Sequence, residues 1–364
     1  MTPVRVAVRV AVRVDASRTL GSGHVMRCLA LAAVLRKRGV ALHFFCADLP
    51  GHLGDRVQSQ GHGLTLLPAG LDAGQDAEAS LAALLAASDG TRFDWLLVDH
   101  YALGAAWQRQ LRPACTRLAV VDDMADRPHA ADLLLDQNLG RQPDDYAALL
   151  PAAAVRLTGP AFALLRPEFA AARAASLARR GDGRLRHLLI SMGGADPQQA
   201  TLRVLQALQH APIQGPDQAP LPAEVSITVV LGAQADTLAA VQALLPALPW
   251  RSQLLCDVRD MAPLLQAADL AIGAAGGSAW ERCCLGLPSL LLVLADNQRP
   301  GTQALVVAGA ALALGLVDDL PATLPAALQR LARPGALQPL STAAAAVTDG
   351  LGAQRVADAL LTPS

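Results

Sequence analysis

Branched apolar residues alternate with Arg or Ala at period two over residues 4–14, which predicts a strand. After a glycine-containing turn, the apolar run that opens at Cys28 continues to Arg38 and reads as a helix closed by Gly39. Short apolar runs at 93–98, 118–121 and 132–135, each followed by polar residues, predict buried parallel strands with Ala- and Leu-rich helical stretches between several of them. The rhythm restarts after about residue 184, with runs at 188–191, 226–231, 253–255, 270–272 and 289–293. Such alternation predicts an α/β fold of two doubly wound domains.

The boundaries read from this pattern are an N-terminal domain over 1–160, a connecting segment over 161–183 and a C-terminal domain over 184–364. The connection, with Gly159-Pro160, an Arg/Ala-rich stretch and Gly181-Asp182-Gly183, is taken as the hinge side of an interdomain cleft. The Val-Arg-Val-Ala unit repeats near the start, so the first several residues are read as a frayed extension of the first strand. The Gly/Pro/Gln-rich stretch 212–222 reads as an exposed loop. The Ala-rich sequence from about Pro321 either pads the second domain or returns a helix to brace the first.

Composition narrows the function classes. The 364 residues are 52% hydrophobic, enough for two cores, and 30 basic and 31 acidic residues are interspersed to a net charge of −1. No basic stripe points to nucleic acid, no polybasic segment to anionic lipid and no apolar run to membrane insertion, which leaves a small-molecule ligand. With no signal-like opening segment, the expected location is the cytoplasm. Lys37 is the only lysine and sits in the polar end of the first helix, so Schiff-base chemistry and a Walker-type loop lack their essential residue. The six cysteines have no C-x-x-C spacing and read as small reduced hydrophobes, and no cofactor or metal is expected.

Ligands of open α/β sheets bind beyond the carboxyl ends of the strands, and there this chain concentrates its chemistry. Asp15 and Gly21-Ser22-Gly23-His24 follow the first strand, and Asp99-His100-Tyr101, Asp122-Asp123 and Asp136-Gln137-Asn138 follow the next three runs. In the second half come Met192-Gly193-Gly194-Ala195-Asp196, Gly232, Asp257 and Gly273-Ala274-Ala275-Gly276-Gly277-Ser278. Gly21 and Gly23 allow positive φ and let a ligand approach the backbone, although the same turn also suits a His24 that is an ordinary first-turn residue. Any one of the aspartates is equally a helix cap. Gly276, Gly277 and Ser278 join a strand to a helix and offer consecutive backbone N–H groups to an anion. Glu281, one turn on, suits a ribose diol or simply the helix dipole.

Taken in order, R-x-D-x-S…G-x-G-H-x-x-R, Asp99-His100-Tyr101, Asp122-Asp123, Phe162-Ala163-Leu164-Leu165-Arg166 with Glu168-Phe169, the Met192–Asp196 run and Gly276-Gly277-Ser278…Glu281 resemble the UDP-2,4-diacetamido-2,4,6-trideoxy-β-L-altropyranose hydrolases of pseudaminic acid biosynthesis. The resemblance runs from about Arg13 to Gln298. It implies two Rossmann-like domains in a GT-B arrangement, with UDP held mainly by the second through Gly276, Gly277, Ser278 and Glu281. It also implies His24 as catalytic base, Tyr101 as active-site tyrosine, Arg166 as a possible substrate contact, and Trp280, Asn297 and Gln298 on the substrate side with Gly21, Ser22 and Gly23. Some members carry Asn at the position of Trp280.

The chemistry fits these assignments. A helix N-terminus disfavours imidazolium, leaving His24 able to take a proton from water, and Asp15 or another strand-end carboxylate orients the other ring nitrogen. Water would attack the anomeric carbon opposite the departing UDP, with inversion. No D-x-D occurs, so a metal-free reaction is the simpler expectation. A GT-B glycosyltransferase using a UDP-N-acetylamino sugar would share the fold and donor, and an epimerase or a silent nucleotide-sugar binder are further alternatives.

Overall fold

The computed structural model describes residues 8–193, 196, 198–210 and 221–362. The expected frayed start at 1–7, Gly194 and Ala195 of the glycine run, and 211–220 of the expected loop lie outside the described residues. The chain divides into two compact units, one of Met1–Arg166 with Leu351–Ser364, the other of Pro167–Gly350. This differs from the sequence reading at the end of the chain. The helix Gly352–Leu361 belongs to the first unit, where Trp95 Nε1 donates to Leu360 O at 2.8 Å. A Cβ at Gly352 would collide with the backbone of Ala163, so only glycine permits that approach.

The first unit holds a seven-stranded parallel sheet: β1 (Arg9–Val14), β2 (Ala41–Ala47), β3 (Gly63–Leu67), β4 (Phe93–Asp99), β5 (Cys115–Val121), β6 (Leu133–Asp136) and β7 (Val155–Thr158), in the order β3-β2-β1-β4-β5-β6-β7. Val10, Val12 and Val14 of β1 are buried with Leu29 and Leu35 of the helix Gly23–Lys37 and with Val356 and Leu360 of the last helix. Ala11 faces the opposite core, with Phe45, Leu96, Trp107 and Leu111. Helices cover both faces, so the period-two pattern of β1 ends in a fully buried Arg13 rather than a solvated one.

The second unit holds β8 (His187–Ser191), β9 (Ser226–Leu231), β10 (Arg251–Cys256), β11 (Leu270–Ala274), β12 (Ser289–Leu292) and β13 (Ala311–Gly315), all parallel in the order β10-β9-β8-β11-β12-β13. In both sheets the order reverses beside the first strand, between β1 and β4 and between β8 and β11, which is where doubly wound sheets open toward ligands. The α/β class and the doubly wound pattern read from the sequence are those observed. Four strands were not legible there. β3, β7 and β13 are short edge strands, β13 within Ala/Leu sequence that periodicity cannot tell from helix, and β2 is buried over most of its length without polar alternation. All six cysteines are free thiols.

Candidate active site

The turn after β1 is built by Ser17. Its Oγ accepts from the N–H of Thr19 and Leu20 at 3.2 and 2.9 Å, and its carbonyl accepts from Gly21 N at 2.9 Å. Gly21 has φ +77°, the left-handed backbone that glycine tolerates best. The helix then begins at Gly23, five residues before the apolar run that announced it, so His24 lies in its first turn. Gly23 is exposed, and open space lies where its Cβ would be.

His24 Nδ1 lies 2.6 Å from Asp99 Oδ1. Asp99, fully buried at the end of β4, also receives Arg27 Nε on Oδ2 at 2.6 Å and Arg27 Nη2 on Oδ1 at 2.5 Å. Burial alone would raise this carboxyl, but Arg27 and His24 outweigh it and hold it well below the usual carboxylate range. An ionised acceptor there requires Nδ1 to carry the proton, which leaves the lone pair on Nε2. The 3.1 Å approach of Arg27 Nη2 to Nδ1 is secondary, since that guanidinium is already forked onto the carboxylate. The Tyr101 ring stands edge-on to the imidazole, centroids 4.9 Å apart, and its hydroxyl donates to Asp123 Oδ2 at 3.0 Å. Arg27 Nη1 is 3.7 Å from that same oxygen.

Asp15 is not the carboxylate at His24. Its Oδ1 accepts from Arg13 Nη1 at 2.5 Å and from Ala47 N at 2.7 Å, and its Oδ2 lies 3.3 Å from His100 Nε2. Arg13 is also bound to Asp76 at 2.6 Å, so Asp15 serves a buried network beneath the turn. Burial pushes its carboxyl up, yet His100, Arg13 and the Ala47 N–H together hold it low. His100 has both ring nitrogens engaged, Nε2 with Asp15 and Nδ1 accepting from Ala102 N at 3.1 Å, and has no lone pair to spare. Asp122 is likewise committed, to Met124 N, Ala125 N and the Tyr146 hydroxyl. Arg166 is half-buried and ends the first stretch of the unit. Among the described residues no group of three or more His, Cys, Asp or Glu side chains comes together as a metal site.

In the second unit the loop from β11 reaches the helix Ser278–Cys284 through Gly276 and Gly277, each with open space where a Cβ would stand. Gly277 and Ser278 are exposed, and Glu281 is half-buried in the first turn. Trp280 is buried, at 4% exposure, so it presents little surface to a ligand. Asn297 is exposed in a short 3₁₀ turn after β12, whereas the Gln298 side chain closes that turn by accepting from Leu294 N at 3.0 Å. After β8, Gly193 has φ +98°.

Two contributors escaped the sequence reading. Asp99 appeared there only as one strand-end acid of several, and Arg27 only within a motif. The signal for Asp99 was the sheet order, because Val14 of β1 is in register with Asp99 of β4.

No protein-family profile matches the chain. Over 163 residues it is 32% identical to the spore coat polysaccharide biosynthesis protein SpsG of Bacillus subtilis, a match covering 45% of this chain and 44% of that protein. Over 205 residues it is 25% identical to the UDP-2,4-diacetamido-2,4,6-trideoxy-β-L-altropyranose hydrolase of Campylobacter jejuni, covering 56% of this chain and 67% of the relative. The chain thus spans less than half the length of the first relative. The resemblance drawn from the motifs agrees with the second. Among solved structures, MurG of Acinetobacter baumannii superposes with a TM-score of 0.70 at 17% identity, over 97% of this chain and 99% of that one. At that identity the likeness establishes the fold, the two-domain α/β fold of GT-B proteins.

Proposed function

We propose that this protein is a cytoplasmic nucleotide-sugar hydrolase that cleaves a UDP-linked 2,4-diacetamido-2,4,6-trideoxyhexose to free sugar and UDP, as in pseudaminic acid biosynthesis. The observation that carries this reading is the His24–Asp99 pair at 2.6 Å, an imidazole held in the tautomer whose Nε2 can accept a proton. His24 removes a proton from water as the water oxygen bonds to the anomeric carbon. The bond from that carbon to the phosphate oxygen breaks, and the electron pair leaves with UDP. Asp99 stabilises the imidazolium formed, and Arg27 keeps Asp99 ionised. The edge-on Tyr101 ring limits rotation of the imidazole.

In the second unit the N–H groups of Gly276, Gly277 and Ser278 meet the diphosphate charge, and Glu281 accepts from the ribose hydroxyls. These donors act as fixed dipoles, so we assign no metal to the reaction. The name of the Campylobacter relative supports the hydrolase reading. The fold shared with MurG suits a second reading equally, a GT-B glycosyltransferase that passes a UDP-linked N-acetylamino sugar to an acceptor. Release of UDP from the nucleotide sugar with no acceptor present, followed by NMR of the first-formed anomer, tests the choice. Hydrolysis predicts stoichiometric UDP and inverted free sugar. A strict requirement for an acceptor would select transfer, and a retained anomer would exclude single displacement.

A further inference from the structure

Arg13, Arg180 and Arg282 are buried to 6% exposure or less, and Arg27 is held by the fully buried Asp99. Arg13 has Asp15 and Asp76, and Arg27 has Asp99. Arg180 spends Nε, Nη1 and Nη2 on the carbonyls of Leu285, Ala268 and Leu265. Arg282 is different. It is 3% exposed, its Nε, like that of Arg13, has no hydrogen-bond partner, and an acid acting on its charge is Glu281, its neighbour in the chain. Its remaining donors go to the loop expected to hold phosphate: Nη2 to Ala274 O at 2.6 Å and Nη1 to Ser278 Oγ at 3.2 Å.

The loop is shaped around this side chain. A Cβ at Gly273 would stand 2.8 Å from Arg282 Nη1 and 2.9 Å from Ser191 O, so glycine there makes room for the guanidinium rather than for a ligand. Ser278, Glu281 and Arg282 also line one small cavity with Ser191 and Met261. The hydrogen bond to Ser278 has a direction. A guanidinium only donates, so Ser278 Oγ accepts, and the hydroxyl hydrogen is left to point elsewhere from an exposed residue. Burying the guanidinium is costly, the neighbouring Glu281 offsets part of that cost, and an anion arriving nearby lowers it further.

We propose that Arg282 is a positioning residue for the nucleotide diphosphate: it braces the loop from Ala274 to Ser278, turns the Ser278 hydroxyl into a donor, and supplies from below the positive charge that the phosphates neutralise. This rests on the assignment of UDP to that loop. It predicts a dependence on ligand charge, which bracing of the fold alone does not. Arg282→Met keeps the length and apolar stem without the charge. Its affinity for UDP, by titration calorimetry, falls about 10- to 100-fold, while its affinity for uridine, by NMR titration, stays within about twofold. Unchanged UDP affinity overturns the proposal, as does an equal loss for UDP and uridine. If Arg282→Met does not fold, Arg282→Gln, which retains an N–H for Ala274 O without the charge, is read the same way. Wild-type protein that binds no UDP overturns the nucleotide assignment and this inference with it; wild-type binding with an unaffected variant overturns the inference alone.

Discussion

His24 and Asp99 stand 75 positions apart in the chain and 2.6 Å apart in space, joined because β1 and β4 are neighbours in the sheet. The helix that follows β1 brings the imidazole back over the carboxyl end of β4. Arg27, one turn further along the same helix, arrives at the same carboxylate.

Asp99→Asn removes the charge that selects the Nδ1–H tautomer. An amide in its place can donate to Nδ1 and draw the proton to Nε2, where it blocks base catalysis. Turnover is expected to fall by about 10²-fold or more, with UDP affinity unchanged by calorimetry.

The same variant has a pH signature in stability. The folded pKa of Asp99 is depressed, so the unfolded chain binds the extra proton, and the stabilisation is full above the unfolded value of about 4 and lost as pH falls toward the folded value. The gap in melting temperature between wild type and Asp99→Asn is therefore expected to be widest above about pH 5 and to narrow below about pH 4. A gap that widened on acidification would show that Asp99 is not held ionised by Arg27 and His24.

His24→Asn keeps a polar side chain but cannot take up the proton. A fall in kcat of about 10²–10⁴ is expected, with UDP affinity close to wild type. Near-normal turnover would remove His24 from the chemistry.

Glu281→Ala should weaken UDP by about 1–3 kcal/mol, the order expected for a lost partner of buried hydroxyls. Equal affinities in calorimetry would move the nucleotide elsewhere.

Hydrolysis should survive EDTA without loss of rate, because fixed backbone dipoles meet the phosphate charge in this assignment. Loss of activity with chelator and its return with magnesium or manganese would reassign Asp122 and Asp123 as ligands.

The sequence by itself determined the class of fold and the places where chemistry collects. Apolar period and strand-end polarity are local properties, so β1, β4, β5 and most strands of the second sheet could be read directly, along with the turn at Gly21 and the loop at Gly276 and Gly277. The motif order carried the resemblance. Tertiary structure decided the partnerships. Asp15 and Asp99 are equivalent as strand-end acids in the sequence, yet Arg13 and Ala47 claim the first and the helix after β1 delivers His24 and Arg27 to the second. The last helix could have joined either unit by composition, and the close approach of Gly352 to Ala163 settles it. The helical face of residues 278–284 does not tell that Arg282 is buried and bonded back to Ala274 and Ser278 of the loop before it. Strand order and helix packing bring together groups far apart in the chain, and which acid meets which base depends on neighbours that no local pattern records.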